Sequence, residues 1–217
     1  TILETAGVSL NLRTCALFRS RVDYLGHVVR PGKLSMTAKK VTAVNDWPLP
    51  RTKTDVRSFV AFCSVYRRFV PAFAPLAGPL NEALRKDAPD PIKCTPEVQQ
   101  AVAELKSKLT CAPILTLPRV DDEMVLETDA SDSAIGAVLL VRNSDGTEQP
   151  AAYLSRSLTG PERNYSATER EALAVVWAVK QARPYVERKA FVIRTDHVAL
   201  RWMFTVVQKQ QNHLTVA

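Results

Sequence analysis

The sequence predicts an α/β (α+β) chain in which a mostly helical first part leads into a mixed β-sheet with flanking helices. Three observations carry this expectation. The hydrophobic period changes from helical to alternating near residue 118, and two β-patterned runs, LETDA and VIRTDH, end in the same Thr-Asp dipeptide. Between those runs lies ATEREALAVVWAV, an almost wholly apolar helical segment apart from its first turn, so the order is strands, helix, strand, helix.

Each element has a local reason. Val22 to Val29 reads as an extended segment ending at the turn pair Pro31-Gly32. A helix is expected from Thr37 to Asn45, stopped by Trp47-Pro48-Leu49-Pro50, and a second from a Thr54 cap through about Val70, stopped by Pro71. In the second, Phe59, Phe62, Tyr66 and Phe69 recur at helical spacing and form a core-facing stripe. Arg57, Arg67 and Arg68 lie off that stripe, where they can meet phosphates or simply solubilise the surface. A third helix is expected from Pro96 to about Leu109. Ala112 to Asp122, with Pro113 and Pro118, reads as a tether with a domain boundary near Leu117.

Beyond it, Met124 to Asp129, Ala134 to Val141 and Ala151 to Leu154 read as strands, with the Asp145-Gly146 turn before the last. A helix follows from about Thr168 to Ala182, then a strand from Ala190 to Thr195 and a helix from Val198 to about Phe204. Because the first of these helices is apolar on nearly every side, it is expected to be buried.

The totals narrow the class. The 217 residues are 46% hydrophobic, enough for a core, and no run approaches the roughly 18 apolar residues of a membrane span. No secretory leader pattern opens the sequence, which favours an intracellular protein, cytoplasmic or nuclear, without a membrane partner. Cys15, Cys63, Cys94 and Cys111 form no CxxC pair, and His27, His197 and His213 stand at no zinc-ligand spacing from them. The net charge of +7 is uneven. Residues 1–117 hold 17 Lys/Arg against 9 Asp/Glu, whereas residues 118–217 hold 12 against 13. A polyanion such as nucleic acid suits the first part, and bound cations suit the acidic groups of the second. Neither a dinucleotide fingerprint nor a phosphate loop is present.

Asp is disfavoured within strands, so two apolar runs that end on Asp129 and Asp196 read as strands delivering carboxylates. If the strands are parallel neighbours, both aspartates reach one edge of the sheet. The intervening helix adds Glu169 and Glu171, which point about 200° apart at roughly 100° per residue, so only one faces the sheet. Ser166-x-x-Glu169 fits a capping box, and so does Thr168-x-x-Glu171 in another register, which leaves the choice open on local pattern. Three converging carboxylates repel unless cations are bound, and magnesium, a hard ion that prefers oxygen ligands, is the natural partner.

At these residues a family resemblance emerges. LETDASDSAIGAVLL, YLSRSLTGPERNYSATEREALAVVWAVK and FVIRTDHVALRWM strongly resemble the ribonuclease H domain of Ty3/gypsy-type long-terminal-repeat retrotransposon reverse transcriptases. VDYLGHVVRPGKLSM resembles the primer-grip hairpin of the same polyprotein, and VNDWPLPRTKTDVRSFVAFCSVYRRFVPAFAPLAGPL the helical thumb and connection. The resemblance covers almost the whole chain and implies three parts: residues 1–36 as the end of the palm with its hairpin, 37–117 as thumb/connection, and 118–217 as an incomplete RNase H-like domain.

The resemblance further implies that Asp129, Glu171 and Asp196 are three of four metal-binding carboxylates, which decides for Glu171. Glu127, Asp132 and Glu169 lie near and are not taken as ligands. Tyr24, Leu25, Gly26 and His27 fall on positions that contact the primer end, and Arg57, Arg67 and Arg68 are further candidates for nucleic-acid contact. The polymerase Tyr-x-Asp-Asp motif and the fourth aspartate, with a last strand and helix, are expected outside these residues. Of two magnesium ions, the second is therefore expected to be held weakly here. The implied activity is two-metal hydrolysis of RNA in RNA:DNA hybrids within the rest of a reverse transcriptase polyprotein. The alternative is a catalytically inactive or co-opted remnant that binds nucleic acid or only retains the fold.

Overall fold

The structure, a computed structural model, describes residues 18–187 and 190–200 together with positions 5, 7 and 215–216. Three short strands, β1 (Val22–Tyr24), β2 (His27–Arg30) and β3 (Lys33–Met36), form an antiparallel meander. The turn between β1 and β2 places Leu25 at φ 48° and Gly26 at φ 83°, the left-handed pair that a two-residue hairpin requires. The expected tether is partly a strand: β4 (Leu115–Thr116) pairs antiparallel with β3 and completes this sheet. Two residues carry no readable period, and the flanking prolines suggested a linker.

Five helices share a core with that sheet: α1 (Ala38–Asn45), α2 (Lys53–Val65), α3 (Phe73–Leu76), α4 (Gly78–Ala83) and α5 (Pro96–Thr110). The α2 cap is Thr52 rather than Thr54, because Thr52 forms a full capping box with Asp55. The helix also ends at Val65, and a 3-10 turn over Arg67–Phe69 continues the chain. The aromatic stripe survives this change, since an i to i+3 step suits a 3-10 turn. Phe59, Tyr66 and Phe69 are buried and Phe62 partly so, in a core shared with Val44, Leu80 and Leu105.

The second sheet has the order β7-β6-β5-β8-β9. Its strands β5 (Glu123–Ala130), β6 (Ala134–Arg142) and β7 (Glu148–Ser157) are antiparallel, whereas β8 (Phe191–Arg194) and β9 (Thr215–Val216) run parallel to β5. β7 is ten residues long, well beyond the expected Ala151 to Leu154. It absorbs Pro150 through a register shift at Leu139/Leu140, a position that an edge strand tolerates. The helix α6 (Ala167–Val186) crosses the sheet and runs through Pro184 in its last turn. It is not buried all round: Glu171, Ala174, Val175, Ala178, Ala182 and Val186 define one buried face, while Val176 is half exposed. A further helix begins at Val198, and its expected continuation to Phe204 lies outside the described residues.

β7 is also the seam between the two parts. Lys33 Nζ donates to Gln149 Oε1 at 2.6 Å, the Arg67 guanidinium donates to the Ser155 carbonyl, and Arg68 donates to the Tyr185 hydroxyl of α6. Among the described residues no helix is long and apolar enough to cross a membrane.

Candidate active site

The repeated Thr-Asp dipeptide has a structural logic. Alternation along β5 turns Met124, Leu126 and Thr128 toward α6 and leaves Glu127 and Asp129 on the open face. Thr128 and Thr195 are buried while Asp129 and Asp196 are exposed, so each threonine anchors its strand end inward as the aspartate projects outward. The parallel register pairs Glu127 with Arg194. The pairing ends there, and Asp196 stands in the bend just after β8, where it lines the same cleft as Asp129.

Glu171 approaches from the first turns of α6. It is buried, its Oε1 accepts the Ala130 backbone N–H at 3.3 Å, and its Oε2 is buried without a hydrogen-bond partner. Burial is the main force holding its carboxyl above the usual range. The negative charges of Asp129 and Asp196 push the same way, while the Ala130 N–H and His197 oppose the shift. Both aspartates are therefore within electrostatic reach of Glu171.

Glu169 is occupied elsewhere: its carboxylate accepts the Ser166 N–H at 2.8 Å, and its own N–H donates to Ser166 Oγ at 3.3 Å. Of the two capping registers, the structure forms the Ser166 box. Asp132 pairs with Arg170 at 2.7 Å, and Glu127 pairs with Arg194. His197, not singled out as a site residue in the sequence, bonds Thr168 Oγ1 through Nε2 at 2.9 Å and so ties the start of α6 to the segment carrying Asp196. Its signal was adjacency to Asp196 alone.

The donor set suits a hard cation: two exposed carboxylates and one buried carboxylate oxygen with no partner. Among the described residues no three His, Cys, Asp or Glu side chains form a group that could hold a metal ion, so the three carboxylates lie near one rim without forming a ready-made metal site. Beside Asp129 and Asp196 opens a cleft of about 480 Å³ whose lining includes Val138, Tyr153 and, from the first part, Pro71 and Ala72.

The remaining candidates lie on other elements. Tyr24 and Leu25 are exposed at the hairpin tip. His27 tucks its ring against Tyr66 and Phe69 at 5.2 and 5.8 Å, where burial holds its pKa below the usual value. Arg57 is exposed on α2. Arg67 and Arg68 are engaged within the chain, on Ser155 and Tyr185.

A mixed sheet in this order, a helix carrying an acidic first turn across it, and carboxylates at one rim define the RNase H-like fold. Solved structures agree: a foamy viral protease-reverse transcriptase in complex with double-stranded DNA matches with a TM-score of 0.76 at 21% identity, over 100% of this chain and 48% of that one. The same viral protein in complex with an RNA/DNA hybrid gives 0.74 at 20% identity, over 94% and 30%.

Residues 94–193 match the family model of the RNase H-like domain found in reverse transcriptase. The Pol polyprotein of transposon 297 from Drosophila melanogaster is 37% identical over 204 residues, which is 94% of this chain and 19% of that protein. The Tf2-3 polyprotein of Schizosaccharomyces pombe is 31% identical over 212 residues, 97% of this chain and 16% of the other. Residues 94–193 thus match the RNase H-like domain of reverse transcriptase, and nearly the whole chain is similar to retrotransposon polyproteins, of which it spans less than a fifth.

Proposed function

We propose that the second part of the chain hydrolyses the RNA strand of RNA:DNA hybrids with magnesium, in the Ty3/gypsy-type lineage, that residues 37–117 are the thumb/connection, and that residues 1–36 are the end of the palm with its primer-grip hairpin. The observation that carries this reading is the buried, unpartnered oxygen of Glu171 on a carboxyl that feels the charges of both Asp129 and Asp196. Asp129, Glu171 and Asp196 would hold the magnesium. When bound, magnesium supplies an activated water and charge stabilisation for phosphodiester cleavage.

The protein's own groups do the rest. Glu171 is tied to the end of β5 by the Ala130 N–H, which leaves its second oxygen buried without a partner. The basic first part attracts the polyanion, and recognition of an A-form-like duplex rests on shape, phosphates and the 2′-hydroxyl. The rest of a polyprotein is the expected partner, and an intracellular setting follows from that reading. The experiment is cleavage of an end-labelled RNA:DNA hybrid against magnesium concentration. Asp129→Asn is expected to abolish cleavage while leaving hybrid binding nearly intact, and unchanged cleavage by that variant overturns the assignment.

A second reading, a nucleic-acid-binding remnant, draws on the unclosed geometry of the three carboxylates. It predicts salt-sensitive hybrid binding without magnesium-dependent chemical-shift changes at Asp129, Glu171 or Asp196.

A further inference from the structure

A second cleft, of about 700 Å³, opens in the first part and shares no lining residue with the cleft beside the carboxylates. It lies where the chain passes from α1 to α2. Its lining comes from the end of α1 (Ala43, Asp46), from α2 (Asp55, Ser58) and from the connector between them, residues 47–51, Trp-Pro-Leu-Pro-Arg. Proline fixes φ at about −65° and supplies no N–H, so two prolines in five residues make this connector stiff in itself.

The surrounding chain fastens it further. Lys106 of α5 donates to the Asn45 carbonyl at 3.0 Å and to the Trp47 carbonyl, the Arg51 carbonyl accepts the Ile92 N–H at 3.0 Å, and the Arg51 N–H donates to Asp55 at 3.0 Å. The Trp47 ring packs against Phe59 and Phe62, with centroids 5.8 and 5.2 Å apart, and Pro50 is buried. Pro48 and Leu49 are exposed, Leu49 by 43%. An apolar side chain thus stands in water on a backbone that is already ordered, and a ligand can cover it without the entropic cost of ordering a loop.

The charges select the ligand. Residues 1–117 hold 17 Lys/Arg against 9 Asp/Glu, yet this lining carries two carboxylates, Asp46 and Asp55, against the single guanidinium of Arg51. The backbone N–H groups of Arg51 and Thr52 hold the Asp55 carboxyl below its usual range. Asp46 accepts the Asn45 side-chain amide at 3.2 Å and, among the described residues, forms no ion pair. A polyanion is therefore repelled at this cleft and a cation drawn to it. We propose that the cleft docks an extended peptide of a partner protein in which a lysine stands beside a leucine. The leucine covers Leu49, the ammonium group pairs with Asp46, and the Ser58 hydroxyl, which has no hydrogen-bond partner among the described residues, bonds the peptide backbone. A volume of about 700 Å³ is within the range of ligand-binding clefts.

The probe is the peptide acetyl-Leu-Lys-Leu-amide, titrated into the isotope-labelled 217-residue chain and followed by backbone amide chemical shifts, with acetyl-Leu-Glu-Leu-amide as the charge-reversed control. The lysine peptide is expected to shift the amides of Ala43, Asp46, Leu49 and Ser58 along one saturating curve, with a Kd on the order of 1 mM, as suits a short fragment of a longer partner. The glutamate peptide is expected to leave them in place. Asp46→Asn is expected to weaken binding about threefold and Leu49→Ser about fivefold, the scales of one exposed ion pair and of one partly covered leucine. Both side chains are exposed, so the variants keep the fold, which unchanged shifts elsewhere verify. Shifts that do not saturate, equal shifts from the two peptides, or a Kd unchanged in both variants overturn the proposal. A DNA duplex titrated alone is expected to leave these amides unmoved; shifts at Asp46 and Leu49 on its addition give the cleft to nucleic acid and overturn the peptide site.

Discussion

Glu127 and Arg194 face each other across the parallel pairing of β5 and β8, two residues short of Asp129 and Asp196, and form an ion pair. Arg194 also donates to Glu148 at 3.0 and 2.8 Å, Glu148 accepts from Arg142 at 3.1 and 3.0 Å, and Arg142 reaches Glu123 at 2.7 Å. A ladder of alternating charge thus joins four adjacent strands on the open face of the sheet. It fixes the relative register of the two strands whose ends present the aspartates.

That ladder predicts an acid-sensitive component of stability. The hydrogen bonds from Arg194, aided by Arg142, hold the Glu148 carboxyl well below its ordinary 4.5, at about 2. A depressed acid contributes stability that is present above 4.5 and lost as pH falls toward 2. Glu148→Gln is expected to lower stability at neutral pH by about 1 kcal/mol, as suits a partly exposed network, and to flatten the loss between those two values. Denaturant unfolding at a series of pH values measures both, and an unchanged acid limb refutes the assignment.

The hairpin tip predicts a strain that can be partly relieved. Gly26 sits at φ 83°, and a β-carbon there collides with the Tyr66 hydroxyl. Gly26→Ala is expected to cost about 2 kcal/mol, of which roughly 1 kcal/mol is the left-handed conformation alone. Tyr66→Phe removes the colliding oxygen, so the double variant is expected to recover the remainder. Additive effects in that cycle contradict the contact.

Cysteine chemistry supplies a third expectation. Cys63 is fully buried in the first core, and burial pushes its thiol up to about 12, whereas Cys94 and Cys111 are exposed. Only the thiolate reacts, so Cys63 is expected to resist a disulfide reagent at pH 8 until the protein unfolds. Cys94 and Cys111 are expected to react in the native state. Mass mapping of the modified peptides decides between them.

The sequence carried much of this and missed identifiable parts. The two Thr-Asp ends were legible because strand alternation and the low strand propensity of Asp are local properties. Glu169 against Glu171 was not, since both capping registers satisfy the same pattern and only the folded helix shows Ser166 in use. Arg67 and Arg68 looked like solvated charge; their partners, Ser155 and Tyr185, lie 88 and 117 residues away.

Glu171 provides the sharpest test of the proposed metal chemistry. Its carboxyl is held above the ordinary value, chiefly by burial and also by Asp129 and Asp196. For an acid shifted upward, ionisation is the destabilising event: no cost exists below the unfolded value of 4.5, and the cost is complete once pH exceeds the folded value. The metal-free protein therefore carries a buried carboxyl whose ionisation is disfavoured and whose second oxygen has no partner. Glu171→Gln keeps the oxygen that accepts the Ala130 N–H and removes the charge. The variant is expected to gain stability over the parent in chelator as pH rises through the folded value, because it escapes the cost of ionising a buried carboxyl. Magnesium is expected to raise the melting temperature of the parent, because a ligand bound only by the folded state stabilises it, and to leave that of Glu171→Gln unchanged. A variant that is less stable in chelator, or that still responds to magnesium, removes Glu171 from the proposed metal site.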